Sequence, residues 1–178
     1  KLPDLVLDAS QSKWYERAIA GTAQVVAEIP EMALGGAFGS AAGTVAGGPV
    51  GSILGGGAGM FAVPGMIREM LIQGYQGGDV TSAADFLSRT KIILQTTAKE
   101  AAVGALTAGM GAVASRVVGA AVAPMIGDIG VKTATRAINA ADTAAQVGTM
   151  VVAPAALEGR LPEPHEIMDA AIVIAGMK

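Results

Sequence analysis

The chain has no cysteine, one histidine, and few aromatic (3%) or charged (15%) residues. Each scarcity removes a class of protein. Without cysteine there is no disulfide scaffold and no thiol nucleophile. That absence fits a reducing compartment, and equally a protein that meets both redox states. A nucleic-acid reader needs a basic patch or an aromatic stacking platform. Here the net charge is −3 and neither feature is present. Charge well below the usual quarter of residues argues against disorder, which needs low hydrophobicity and high charge. The remainder is 52% hydrophobic with 25 glycines, spread over 178 residues, enough for one domain.

The same scarcity leaves little for catalysis. His165 stands between Glu163 and Glu166. A second histidine four residues on, which a zinc-binding helix requires, is missing. These residues read as the solvated first turn of a helix, where acidic side chains suit the helix dipole. A phosphate-binding loop needs Gly-Lys-Ser/Thr after a strand, and the run Gly55-Gly56-Gly57-Ala58-Gly59 has neither lysine nor strand. Gly-x-Ser-x-Gly is absent as well. The carboxylate pairs Glu28/Glu31 and Glu163/Glu166 fall at helix ends, as caps and wet faces do. The expectation is a non-enzyme with no cofactor and no metal.

What the chain has instead is placed glycine. Residues 32–67 are 36 consecutive uncharged positions. Inside them glycine recurs every fourth position: Gly35, Gly39, Gly43, Gly47, Gly51, Gly55 and Gly59. Glycine costs roughly 1 kcal/mol in a helix interior, so such a row needs a reason. Four-residue spacing keeps to one helix face, and a bare face lets another backbone come close. Gly48-Pro49 breaks the stretch in the middle. The pattern predicts two helical arms, 31–47 and 50–63, folded as a tight hairpin that Pro64 ends or kinks.

Around this hairpin the chain reads as further helices. Residues 1–30 hold an amphipathic lead-in helix that Pro30 breaks or kinks. Its Trp14 and Tyr15, with Lys13 and Arg17, suit a membrane interface. Residues 31–77 are the glycine hairpin, and 78–178 form a helical hairpin region. There Ser82 and Asp85 have capping-box spacing, opening a helix that runs to about Ala121. That helix repeats the small-residue theme, with Gly104, Ala108 and Ala112 on one row and Gly111, Ser115 and Gly119 on the next. A helix over about 131–152 follows, Pro154 and Gly159 punctuate the turn, and 162–166 open the last helix. The fold class is therefore all-α: Gly/Ala-rich helical hairpins packed closely, in an oligomer of copies. Lys1 at the start and an apolar helical pattern running into Lys178 suggest a piece of a longer polypeptide. No secretory signal opens it, because Asp4 and Asp8 interrupt the first apolar run.

Two corners echo one another 81 residues apart: 78–87 (GDVTSAADFL) and 159–171 (GRLPEPHEIMDAA). Both read Gly, any residue, apolar, cap, then an acid and two apolar residues. With the Gly/Ala-rich stretches, these segments resemble parts of the internal virion or DNA-ejection proteins of short-tailed bacteriophages, and the related giant polyvalent proteins. The resemblance is one of style over residues 30–178 and carries no catalytic residue across. It implies storage in the virion and release into the host envelope. It further implies self-assembly, alone or with other ejection proteins, against the inner membrane. DNA would be transported cargo only. The rival readings are a pore-forming, toxin-like helical protein and a soluble scaffold with a buried glycine hairpin.

Overall fold

The computed structural model describes residues 14–76 and 80–176. They are helical almost throughout, with no strand among them, so the chain is all-α. Helix α1 is Trp14–Gln76, α2 Ala83–Val122, α3 Ile126–Ile129, α4 Val131–Leu157 and α5 Pro164–Gly176. A 3-10 turn, Ala123–Met125, joins α2 to α3.

Helix α1 is two arms rather than one rod. Its torsions leave the helical region only at Gly47 (φ −145°, ψ 18°) and Gly48 (φ 60°, ψ −145°). A side chain at the positive φ of Gly48 would be strained, so this position demands glycine. Pro49 opens the second arm, where its missing N–H is no loss. The chain thus reverses at the Gly-Pro signal, giving arms 14–46 and 49–76.

The other prolines do not break their helices. Pro30 and Pro64 lie inside α1, and Pro154 inside α4, with helical torsions on both sides. Pro30 does not end the lead-in helix, Pro64 does not end the second arm, and α4 passes Pro154 to reach Leu157. An interior proline removes one hydrogen bond and crowds the carbonyl four residues back. Long helical flanks hold the alignment around Pro30 and Pro64, whereas Pro154 lies in the last turn of α4. At Pro64 the flank is also packed, because Pro64 and Gly65 are buried.

The caps form where the sequence places them. The Asp85 N–H donates to Ser82 Oγ (3.1 Å), and the Asp85 carboxylate accepts from the Thr81 N–H (3.4 Å). Helix α4 ends in a Schellman motif at Gly159 (φ 69°). There the Arg160 N–H donates to Ala155 O (3.0 Å) and the Gly159 N–H to Ala156 O (3.1 Å). Past this corner α4 and α5 pack together. Their buried residues include Val151, Ala155, Ala170 and Ile174, the last only 1% exposed. The chain divides into two compact units. One is Pro30–Gly109, and among the described residues the other joins 14–29 to 110–176.

Candidate functional site

The unit Pro30–Gly109 holds the glycine row, and the structure pairs it against itself. Gly35 faces Gly59, Gly39 faces Gly55, and Gly43 faces Gly51. A Cβ added at Gly35, Gly39 or Gly43 would lie 2.7, 2.8 or 2.6 Å from the facing carbonyl carbon. That overlap is with backbone, which has no rotamer to escape into. The hydrogen that each Cβ would replace points at the facing carbonyl oxygen, the arrangement of a Cα–H···O contact worth about 0.5–1 kcal/mol. Gly47, the seventh, has nothing within 4 Å because it lies in the turn. The arms run antiparallel, and the pairs are centred on that residue.

The second arm is bare on its other side too. Gly57 lies half a turn away from the Gly55/Gly59 row and faces α2. A Cβ there would stand 3.1 Å from the Gly104 carbonyl carbon, and one at Gly104 would stand 2.8 Å from that of Gly57. Gly65 makes room for Glu100, whose Cβ would be 3.2 Å from an added methyl. Gly109 likewise accommodates Leu54. Three helical segments therefore lie side by side, with the second arm in the middle and glycine at both of its contacts. In α2, Val103, Gly104, Thr107 and Gly111 are buried, a stripe at helical spacing.

Charge is confined to one end of this assembly. Arg68 and Glu100 approach to 4.0 Å where the second arm and α2 leave the uncharged stretch. Arg89 lies further out, where it takes the Asp85 carboxylate by two hydrogen bonds (3.0 and 2.8 Å) and donates to Gln73 O (3.2 Å). Glu31 begins the hairpin, and its Oε2 is buried without a hydrogen-bond partner among the described residues. From this end to the turn no side chain carries charge. The outer faces are apolar and uncovered: Phe38 is 75% exposed and Val45 91%, with Leu34, Val50 and Ile53 exposed beside them.

Two segments, Val26–Tyr75 and Ala83–Ile129, are long and apolar enough to cross a membrane by length and composition, and little of their most apolar part is buried. Comparison with protein families, curated proteins and solved structures finds no match. The site is therefore read from its own chemistry. Among the described residues no group of three or more His, Asp or Glu is arranged to hold a metal.

The other residues singled out from sequence are spread over distinct contacts. Gly104 and Ala108 meet Gly57. Gly111 leaves space for the Gln146 side chain, whose Nε2 donates to Asp142 Oδ1 (2.8 Å). Gly119 makes an ordinary contact with Ile138 (3.7 Å), and Ser115 is half-buried. Lys13 lies outside the described residues, as do the side chains of Trp14, Tyr15 and Arg17. Gly57 and Gly65 escaped the four-residue pattern because they belong to a different face. The Arg160 clip was also missed. Its guanidinium holds Glu166 by two hydrogen bonds and Glu158 by one (2.7 Å), bracing the α4–α5 corner. Arg160 and the Glu163 N–H together hold the Glu166 carboxyl down at about 2. Arg160 itself is raised by the same pairing. His165 stays beside Glu163, at 3.3 Å, in the first turn of α5.

Proposed function

We propose that this chain is a structural, non-catalytic segment that associates with a lipid bilayer through its glycine-packed hairpin. The observation that carries this reading is the pairing of internal saturation with external apolarity. The arms satisfy their close backbone contacts within the chain, so the hairpin needs no further partner to close. Its outer face nevertheless presents Phe38, Val45 and Leu34 to the surroundings with no charge over 36 residues. Exposed apolar surface of that extent marks a membrane or protein interaction site. Helix association in lipid relies on small residues and close backbones, which this hairpin supplies.

The biological setting comes from resemblance rather than geometry. Segments 78–87 and 159–171 resemble those of phage internal virion proteins, and that resemblance supports a setting in a virion and then in the host envelope. There, copies of the chain, with other ejection proteins, would contribute to a conduit for the genome. Gly/Ala helices that pack equally well in protein or lipid suit such a change of surroundings. A second reading, a soluble scaffold module, draws on one observation: the glycine faces of the two arms meet each other.

Flotation of the purified chain with liposomes at neutral and mildly acidic pH separates the two. Co-migration with lipid supports the membrane reading, and a chain that stays at the bottom of the gradient leaves the scaffold. Light scattering tests assembly, and a strict monomer in both buffer and lipid would remove the conduit.

A further inference from the structure

We propose that residues 32–67 cross a bilayer as a preformed two-helix hairpin, entering turn first and keeping both ends on the side of entry. The proposal rests on the membrane reading above and adds to it a topology. Four features of the hairpin carry it.

The first is where charge stops. Glu31, Arg68 and Glu100 all stand at the end of the hairpin away from the turn, and Arg68 meets Glu100 there. Within residues 32–67 nothing charged lies between that end and Gly47. Turn-first insertion therefore moves no ionised group through hydrocarbon, whereas insertion from the other end would move all of them. The buried, unpartnered Glu31 Oε2 needs water, and an interface at that level supplies it.

The second is length. The uncharged part of the first arm, 32–46, is about 22 Å long, and that of the second, 49–67, about 28 Å. A hydrocarbon core is about 30 Å thick and thins locally to meet a slightly short helix. The second arm is therefore nearly as long as the layer it would cross, and the first is about 8 Å shorter than that layer, a mismatch that local thinning of the bilayer would have to take up.

The third is the turn. Gly47 and Gly48 have non-helical backbone, so the carbonyls ending the first arm have no following helical turn to bond them. Irregular backbone exposed to lipid does not occur within the hydrocarbon region. The turn is stable only if it reaches the opposite interface, which excludes a shallow re-entrant loop. Pro49, lacking an N–H, removes one donor at this point.

The fourth is the lateral surface. The glycine faces are consumed by the partner arm and by α2. What remains toward the surroundings is Leu34, Phe38 and Val45 on the first arm and Val50 and Ile53 on the second. The hydroxyl within this stretch that points outward, Thr44 Oγ1, donates to Ser40 O (2.7 Å) and makes no demand on water.

The absence of cysteine makes the test direct, because any introduced thiol is unique. Val45→Cys reports the turn, Phe38→Cys the middle of the first arm, and Met70→Cys the charged end. All three positions are exposed, and unchanged circular dichroism confirms that each variant folds. The variants are bound to vesicles of phosphatidylethanolamine and phosphatidylglycerol and recovered by flotation. Expected is rapid reaction of Met70→Cys with an external membrane-impermeant maleimide. Val45→Cys should react at least tenfold more slowly from outside, and readily with the same reagent trapped in the lumen. A dye on Phe38→Cys should be quenched by nitroxide lipids. If floated Val45→Cys reacts from outside as fast as Met70→Cys, the crossing is overturned while the membrane reading stands. If the Phe38 dye escapes quenching and scattering finds a dimer, a second copy covers this face and the proposal fails. If no variant floats, the membrane reading falls first and the topology with it.

Discussion

Replacing Gly39 with alanine isolates the close approach on which the hairpin depends. The new methyl would lie 2.8 Å from the Gly55 carbonyl carbon and 3.2 Å from the Gly59 Cα. Both neighbours are backbone, so relief comes only by moving the arms apart. Contacts are best at about 3.5–4 Å, and a gap of 0.5–1 Å forfeits a quarter to a half of each. Overpacking of this kind costs about 1–3 kcal/mol. Against it, alanine returns about 0.5–1 kcal/mol of helix propensity. Gly74→Ala in the same arm and Gly148→Ala in α4 provide the reference, since nothing lies within 4 Å of a methyl at either site. They should gain the propensity alone. The Gly39 variant should therefore melt below the references by an amount equivalent to about 1–3 kcal/mol. For a chain of this length each kcal/mol moves the midpoint by about 2–4 °C. Thermal circular dichroism, in buffer and in detergent, measures the separation. A Gly39→Ala midpoint raised as much as that of Gly74→Ala would refute the packing argument.

Three further predictions concern other parts of the chain. Ala41→Lys, on the exposed outer face of the first arm, should reduce liposome flotation on the order of 100-fold, since a lysine at the centre of a membrane helix costs about 2.5–3.5 kcal/mol. Ser82→Ala removes the hydroxyl that caps the Asp85 N–H. It should destabilise the start of α2 by about 1 kcal/mol, seen as faster hydrogen exchange at that amide. Glu166 should titrate near 2 instead of 4.5. Because pairing depresses the folded value, the clip is intact above the ordinary carboxylate range and is lost as pH falls from about 4.5 toward 2. Carboxyl-carbon NMR shifts should show this, and Arg160→Ala should return Glu166 toward its ordinary value.

Much of the architecture was legible because it is written in local chemistry. Gly48-Pro49 announced the reversal, the four-residue glycine row announced two facing arms, and Ser82 with Asp85 announced α2. The prolines were ambiguous signals, because an interior proline can end a helix or be carried within one, and here the helices continue past Pro30 and Pro64. Gly57 was hidden inside a crowded run, where Gly55 and Gly59 serve one face and Gly57 the opposite one. Glycine spacing also says that a backbone comes close without saying whose. A facing helix from another copy and a facing arm of the same chain leave the same signature in sequence. The Arg160 clip lay beyond reach for another reason. Its partners, Glu158 and Glu166, are brought together only by the turn at Gly159.

The even spacing of the glycine row has one more consequence. If one arm slid past the other by four residues, about 6 Å, Gly39 would meet Gly59 and Gly43 would meet Gly55. Glycine would again rest on glycine. The contact face thus behaves as a ruler with identical marks and does not choose among its own alignments. The choice is made where the marks run out. Gly48 limits the length of the reversal, and Met60 and Val63 seat their side chains against Gly36 and Gly35. The alignment of the hairpin is held by its few bulky residues and its turn, while the glycines set only how close the arms come.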